Sequence, residues 1–260
     1  MIIDICSYNG EGEIWEIRYN ILKDFVDEFR VVEFDKTFSG KPKHQLFNQN
    51  WPKVKSFYVT EDIWSKYEDL ARLSPNTQYG KGAEHWVREF CQKESIKNCL
   101  TDLKDDDLIF IGDCDEIWEP RLAKDWQFDI TIKLPLRVYS YYLNNRSSEK
   151  FLGTLVAPYR LIKDSCLNEA RSNPNGLLSG EVGWHFTSMG GHEKVRQKLT
   201  DSYTSDSYAN PYVLDNLYDN INKIHDFLGR NFTYLKSEEE WPDYLKNNKR
   251  KERLPRPIRS

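Results

Sequence analysis

Asp107-Leu-Ile-Phe-Ile-Gly-Asp-Cys-Asp-Glu116 is an unbroken apolar run that ends abruptly in acid. A strand that is apolar at every position has both faces covered, which is the environment of a central strand in a parallel sheet. Upstream, Ile2–Cys6 reads as a shorter strand of the same kind, followed by a polar turn through Asn9, Gly10 and Gly12. Ile14, Ile17, Ile21, Leu22 and Phe25 then recur at three- and four-residue spacing and predict a helix. Further strands are expected at Val31–Phe34 and Val54–Val59, and helices at Ile63–Leu73 and Glu84–Leu103. Segment 74–82 reads as a loop. This alternation predicts an α/β protein with a mostly parallel, Rossmann-like central sheet flanked by helices.

After Pro120 the pattern changes. Ile130–Leu134, Val138–Leu143 and Phe151–Val156 predict a β-rich insertion, and from Glu193 the chain reads as mainly helical. The simplest layout is a single domain over 1–245 followed by a basic tail over 246–260, which carries seven basic residues and one acid.

The 260 residues carry 41 acidic and 37 Lys or Arg side chains, a net charge of −4 that argues against a nucleic-acid footprint. No stretch approaches the ~18 apolar residues of a membrane-spanning helix. A signal peptide is not visible, and the five cysteines include no C-x-x-C pair, so reduced thiols and a cytoplasmic location are expected. The 8 Trp, 15 Tyr and 13 Phe are too many for a disordered chain; they suit both a core and the walls of a wet cleft.

Ligands of open parallel sheets bind beyond the carboxyl ends of the strands, where Asp113-Cys-Asp-Glu116 falls. Two carboxylates so close repel unless a cation joins them, and Mn²⁺ or Mg²⁺ suits their oxygen donors. The alternative is an acidic turn that caps the next helix. A second constellation is Gly183-Trp-His-Phe-Thr-Ser-Met-Gly-Gly191. There His185 can complete a metal shell, and Gly190 with Gly191 allows close approach of phosphate to a helix start. His185 also has a plainer reading, a hydrogen-bonded histidine between aromatics, and His192 reads as an ordinary residue at a helix N-terminus.

The chain resembles the family 17 glycosyltransferases, the group that contains the β-1,4-mannosyl-glycoprotein 4-β-N-acetylglucosaminyltransferases. The anchors are Ile2-Ile-Asp4, Glu16-Ile-Arg-Tyr-Asn20, Val31-Val-Glu33, Lys36-Thr-Phe-Ser-Gly-Lys-Pro42, Arg88-Glu89 and Gln92. They continue through Asp113-Cys-Asp-Glu-Ile117, Phe151-Leu-Gly-Thr154, Gly183-Trp-His-Phe186 and Gly190-Gly191. Trp118 stands where the family usually has Pro, and Lys93 where Arg is common. The resemblance implies a GT-A fold, a UDP-GlcNAc donor, a D-x-D-bound metal and inversion at the anomeric carbon.

On that basis Asp113, Asp115 and His185 are the expected metal set, with Asp113 also facing the ribose. Arg18, Arg88, Gln92, Gly190 and Gly191 are candidates for donor binding. An inverting displacement needs a general base, for which Glu181 and Glu116 are the candidates. Tyr139, Tyr141 and Tyr142 could stack on sugar rings of a glycan or glycolipid acceptor, with Trp184 as a further cleft wall. Lys41 and Lys43 could meet phosphate. Two other functions fit parts of the pattern: a sugar-nucleotide pyrophosphorylase and a non-catalytic glycan-binding module. Segment 7–13, with two glutamates and no basic residue, counts against the former.

Overall fold

The computed structural model describes residues 1–47, 50–75 and 83–247. Its first half alternates as expected: β1 (Ile2–Ser7), α1 (Gly12–Leu22), β2 (Glu28–Phe34), β3 (Val54–Val59), α2 (Glu61–Trp64), α3 (Glu68–Arg72), α4 (Glu84–Ser95) and β4 (Leu108–Asp113). A short β5 (Glu116–Trp118) and α5 (Arg121–Asp125) lead into two long strands, β6 (Ile132–Ser140) and β7 (Asn145–Pro158). There follow α6 (Leu167–Ser172), β8 (Gly176–Leu177), β9 (Gly183–Thr187), α7 (Gly191–Ser202), α8 (Pro211–Asn222), β10 (Tyr234–Lys236) and α9 (Asp243–Asn247).

The strands form one sheet in the order β3-β2-β1-β4-β7-β6-β9-β5, with β10 on β7 and β8 on β6. The β3-β2-β1-β4 half is parallel. β7 runs antiparallel to β4 and β6, β9 runs parallel to β6, and β5 is antiparallel to β9. Alternation along β1 and β4 explains their apolar sequences. Ile3, Ile5, Ile109 and Ile111 pack on one side with Val87, Phe90 and Cys91 of α4. Cys6 and Phe110 pack on the other with Ile14 and Trp15 of α1. Each such isoleucine contributes roughly 1.5–3 kcal/mol by leaving water.

A charged pair lies within this interior. Asp4 of β1 and Arg18 of α1 are both completely buried, joined by Nε–Oδ2 at 2.8 Å and Nη2–Oδ1 at 2.7 Å. Burial opposes the arginine's charge, but Asp4 more than offsets it, so the guanidinium stays protonated more firmly than usual.

Several elements differ from the sequence expectation. The helix expected over Ile63–Leu73 is broken into α2, a 3₁₀ turn at Ser65–Tyr67, and α3. The helix from Glu84 stops at Ser95 and tightens into a 3₁₀ turn at Ile96–Cys99, and α1 ends at Leu22, before Phe25. Ile130–Leu134 and Val138–Leu143 are not separate: β6 spans Ile132–Ser140, and Tyr141 leaves it with a left-handed φ of 69°. Trp184 and His185 lie in the short strand β9, which the sequence pattern did not indicate. Most of the loop 74–82 and nearly all of the basic tail 246–260 lie outside the described residues. All five cysteines are free thiols.

The buried pair yields a prediction. Asp4→Ala leaves a guanidinium uncompensated in the core, and should cost about 3–5 kcal/mol in urea unfolding followed by circular dichroism. A loss under about 1 kcal/mol would mean that the pair is not structural.

Candidate active site

Arg18 does more than neutralise Asp4. Its Nη1 donates to the carbonyls of Glu116 at 2.7 Å, Asp113 at 3.1 Å and Cys114 at 3.4 Å, while Trp118 Nε1 donates to Asp4 Oδ1 at 2.8 Å. The carbonyls of the acidic turn thus point inward, and the turn is held at the end of β4. Arg18, expected at the donor, lies behind the site with no exposed surface. It shapes the turn and cannot touch a ligand.

The register of β1 with β4 sets Ser7 beside Asp113, and Ser7 Oγ donates to Asp113 Oδ1 at 2.9 Å. Lys93 Nζ is 3.5 Å from Asp113 Oδ2 and Arg171 Nη2 is 4.0 Å from Oδ1. Burial opposes the charge, but these cations prevail and hold the carboxyl well below the usual range. Asp115, with a side chain only 10% exposed, meets Lys198 Nζ at 2.8 Å through Oδ2 and His185 Nε2 at 3.6 Å through Oδ1. Its pKa is likewise lowered, chiefly by Lys198 against burial. In return, Asp115 raises His185 and Lys198 above their ordinary values despite burial.

Three cavities meet at this point. One of about 280 Å³ lies beyond β1, β2 and β4 and is walled by Ser7, Lys36, Gln92, Lys93, Asp113 and Asp115. A second of about 230 Å³ runs between segment 9–14 and the start of α7, past Gly190. The third, of about 210 Å³, lies on the far side of His185 towards Tyr141 and Arg230. Lys198 lines all three.

The remaining expected residues divide. Gln92 lines the largest cavity, but its Nε2 donates to Lys36 O at 2.8 Å. Arg88 donates to Phe38 O and sits against Gly40, where a Cβ would lie 3.2 Å from the guanidinium carbon. Both brace the loop after β2. That loop is tied in turn to the end of α7: Ser39 N donates to Asp201 O and Ser39 Oγ to Thr200 O, each at 2.8 Å, and Lys41 Nζ meets Asp201 at 3.1 Å. Lys43 lines the largest cavity and is spent on Tyr8 O and Asn9 Oδ1. Gly190 adopts a left-handed φ of 93° at the start of α7, and Gly191 follows with φ 82°. His192 lies at the exposed edge, 3.0 Å from Glu193.

Neither candidate base opens onto the three cavities. Glu181 is clamped by Arg146 Nη2, 2.6 Å from each carboxylate oxygen. Glu116 is buried, with Oε2 lacking a hydrogen-bond partner, and burial raises its pKa. Tyr139, Tyr141 and Tyr142 are buried; Tyr141 lines the third cavity but donates its hydroxyl to His225 O at 3.0 Å. Trp184 is buried with Nε1 on Glu240 O at 2.6 Å, so it serves packing.

Lys198 and Glu11 are among the cleft residues that were not expected. Lys198 sits one turn beyond Lys194 on the cleft face of α7, and the three- to four-residue recurrence of Lys194, Lys198 and Asp201 was the available signal. Glu11 lines two of the cavities, and burial raises its pKa.

No three His, Cys, Asp or Glu side chains among the described residues converge on one point that could hold a metal ion. Asp113, Asp115 and His185 are therefore not gathered as one set: Asp113 turns to Ser7 and Lys93. Asp115 and His185 do fit as a pair. Ligand atoms about 2.1 Å from an ion lie about 3 Å apart when adjacent, so their 3.6 Å gap closes with a small movement. The buried His185 Nδ1 has no hydrogen-bond partner, leaving the ring orientation to Asp115 and to Phe151, stacked at 4.1 Å.

A sheet whose central strand delivers carboxylates to the floor of a cleft defines a Rossmann-like α/β protein with a strand-end site. The family model described as Glycosyltransferase family 17 matches residues 1–190, and the chain belongs to that family. Human and rat β-1,4-mannosyl-glycoprotein 4-β-N-acetylglucosaminyltransferases are each 28% identical over 117 residues, and the mouse protein 27%. The match covers 45% of this chain and 21% of those proteins, so it spans about a fifth of the length of the curated relatives. Among solved structures, galactosyltransferase LgtC with donor and acceptor sugar analogues aligns over 78% of this chain and 66% of its own, at 9% identity and a TM-score of 0.33. An active-site mutant of LgtC aligns over 84% and 83%, at 7% identity and a TM-score of 0.35. Among the described residues no helix is long and apolar enough to cross a membrane.

The Asp115–Lys198 contact gives a pH-dependent prediction. A carboxyl whose folded pKa is depressed contributes stability above its unfolded value of about 3.9, and loses it as pH falls. Lys198→Met should therefore cost up to about 1 kcal/mol at pH 7, since the lysine is 44% exposed. The deficit is fully present above about pH 4 and is lost only as pH falls towards the strongly depressed folded pKa of Asp115. A variant as stable as wild type at pH 7 in urea titrations would refute the assignment.

Proposed function

We propose that the chain is a metal-assisted, inverting glycosyltransferase that moves N-acetylglucosamine from UDP-GlcNAc to a hydroxyl of a glycan or glycolipid. The observation that carries this reading is Asp115: an ionised carboxylate at the end of the central sheet, 3.6 Å from His185 Nε2, lining both the 280 Å³ and the 230 Å³ cavities. The family supports the transfer chemistry, and the names of the mammalian relatives support the donor sugar.

The nucleotide belongs in the 280 Å³ cavity, beyond the carboxyl ends of the parallel strands. Lys36 and Lys93 supply positive charge on its wall. Asp113, held by Ser7 and partly exposed, would accept a hydrogen bond from a ribose hydroxyl. Asp115 and His185 would hold Mn²⁺ or Mg²⁺ on the diphosphate; when bound, that ion neutralises charge developing on the departing UDP. Lys198 occupies Asp115 beforehand, so the carboxylate is kept ionised and ready. The free thiols suit a reducing compartment, and we place the protein in the cytoplasm.

Thermal-shift measurements with UDP, GDP, CMP and dTDP sugars, each with and without Mn²⁺, test the reading. UDP-GlcNAc with Mn²⁺ should raise the melting temperature most. A shift with another nucleotide but none with UDP-GlcNAc would overturn the donor assignment. Asp115→Asn and His185→Ala should each lower turnover at least about 100-fold while leaving the fold intact. Full turnover of the wild-type protein in excess EDTA would sink the metal assignment.

A further inference from the structure

The geometry points to the third cavity as the acceptor subsite, with Glu149 as the general base of transfer; this rests on the glycosyltransferase reading above. His185 and Lys198 line both this cavity and the 280 Å³ one, so the two open onto each other across the rim that Asp115 anchors. A donor whose diphosphate lies at Asp115 and His185 would present its sugar at that rim. The nucleophile must then arrive from the opposite side, which the third cavity provides.

The chemistry of that cavity suits a sugar ring. Phe151, Tyr203 and Phe227 supply apolar faces among hydroxyl and charged groups. Its two carboxylates are Glu149 and Asp226. Asp226 is buried and fully engaged, accepting from Leu228 N, Arg230 N and the Arg230 side chain, so it caps a turn. Among the described residues, Glu149 accepts a side-chain hydrogen bond only from Arg230 Nη1, at 3.1 Å, and its side chain remains 18% exposed. It stands two residues before Phe151 on β7, on the same face and about 7 Å along the strand. Phe151 in turn stacks on His185. Glu181 and Glu116 do not reach the cavity, the first clamped on Arg146 and the second sealed in the sheet.

In the step itself an acceptor hydroxyl gives its proton to a Glu149 carboxylate oxygen as its lone pair forms the bond to the anomeric carbon. The bond from that carbon to the diphosphate oxygen breaks, and UDP leaves with the electron pair. The proton then passes from Glu149 to solvent.

Glu149→Gln and Glu149→Asp test this. UDP release is followed with UDP-GlcNAc and Mn²⁺, with water and a set of p-nitrophenyl glycosides as acceptors, and UDP-GlcNAc affinity is measured by calorimetry. Gln keeps the bond to Arg230 but has no basicity, so kcat should fall about 10²- to 10⁴-fold with donor Kd changed less than about threefold. Asp should recover at least about tenfold over Gln. A Gln variant within about tenfold of wild type, or one whose donor affinity falls as far as its kcat, overturns the role of Glu149. Wild-type protein that neither binds UDP-GlcNAc nor releases UDP overturns the underlying reading instead.

Discussion

The arrangement depends on the buried pair Asp4–Arg18. A guanidinium with no exposed surface needs all its donors satisfied, and here they go to one carboxylate and to three carbonyls of the turn after β4. Those carbonyls point inward because Arg18 draws them, and the Asp113 and Asp115 side chains are left facing the cleft. Desolvation of the ion pair is expensive, and an apolar pair of similar volume would often be at least as stable. What the ion pair supplies is placement: it couples the first strand, the first helix and the acidic turn through atoms that cannot shift singly.

Much of this layout was legible in the sequence. The apolar run ending in Asp113 announced both a central strand and a strand-end site, because full burial leaves β4 no polar position until it emerges. The α1 face was readable from its three- and four-residue recurrence. The β-rich second half was read less well. Strand β9 is short and depends on β5 and β6 for its hydrogen bonds, so local propensity does not reveal it. Its pairing sets His185 opposite Glu116 and Val138, a contact between segments far apart in sequence.

Residue roles were harder still, for a common reason. Arg18, Arg88 and Gln92 each read as polar groups available to a ligand, yet each is engaged by backbone carbonyls. A sequence reports the donors a segment carries, not the acceptors that the tertiary fold brings to them. The converse holds for Lys198, which reads as an ordinary lysine on a helix and becomes the cation facing Asp115 only when α7 packs against the turn.

The ties between Ser39 and the last turn of α7 carry a mechanical consequence. Two carbonyls that a helix end would leave to solvent are instead satisfied by the loop after β2. The loop, braced on its other side by Arg88 and Gln92, and the helix bearing Lys198 form one stiff arch over the largest cavity. The loop that walls the 280 Å³ cavity and the helix that carries the lysine facing Asp115 therefore share one set of hydrogen bonds, and neither can be displaced at Ser39 without breaking them.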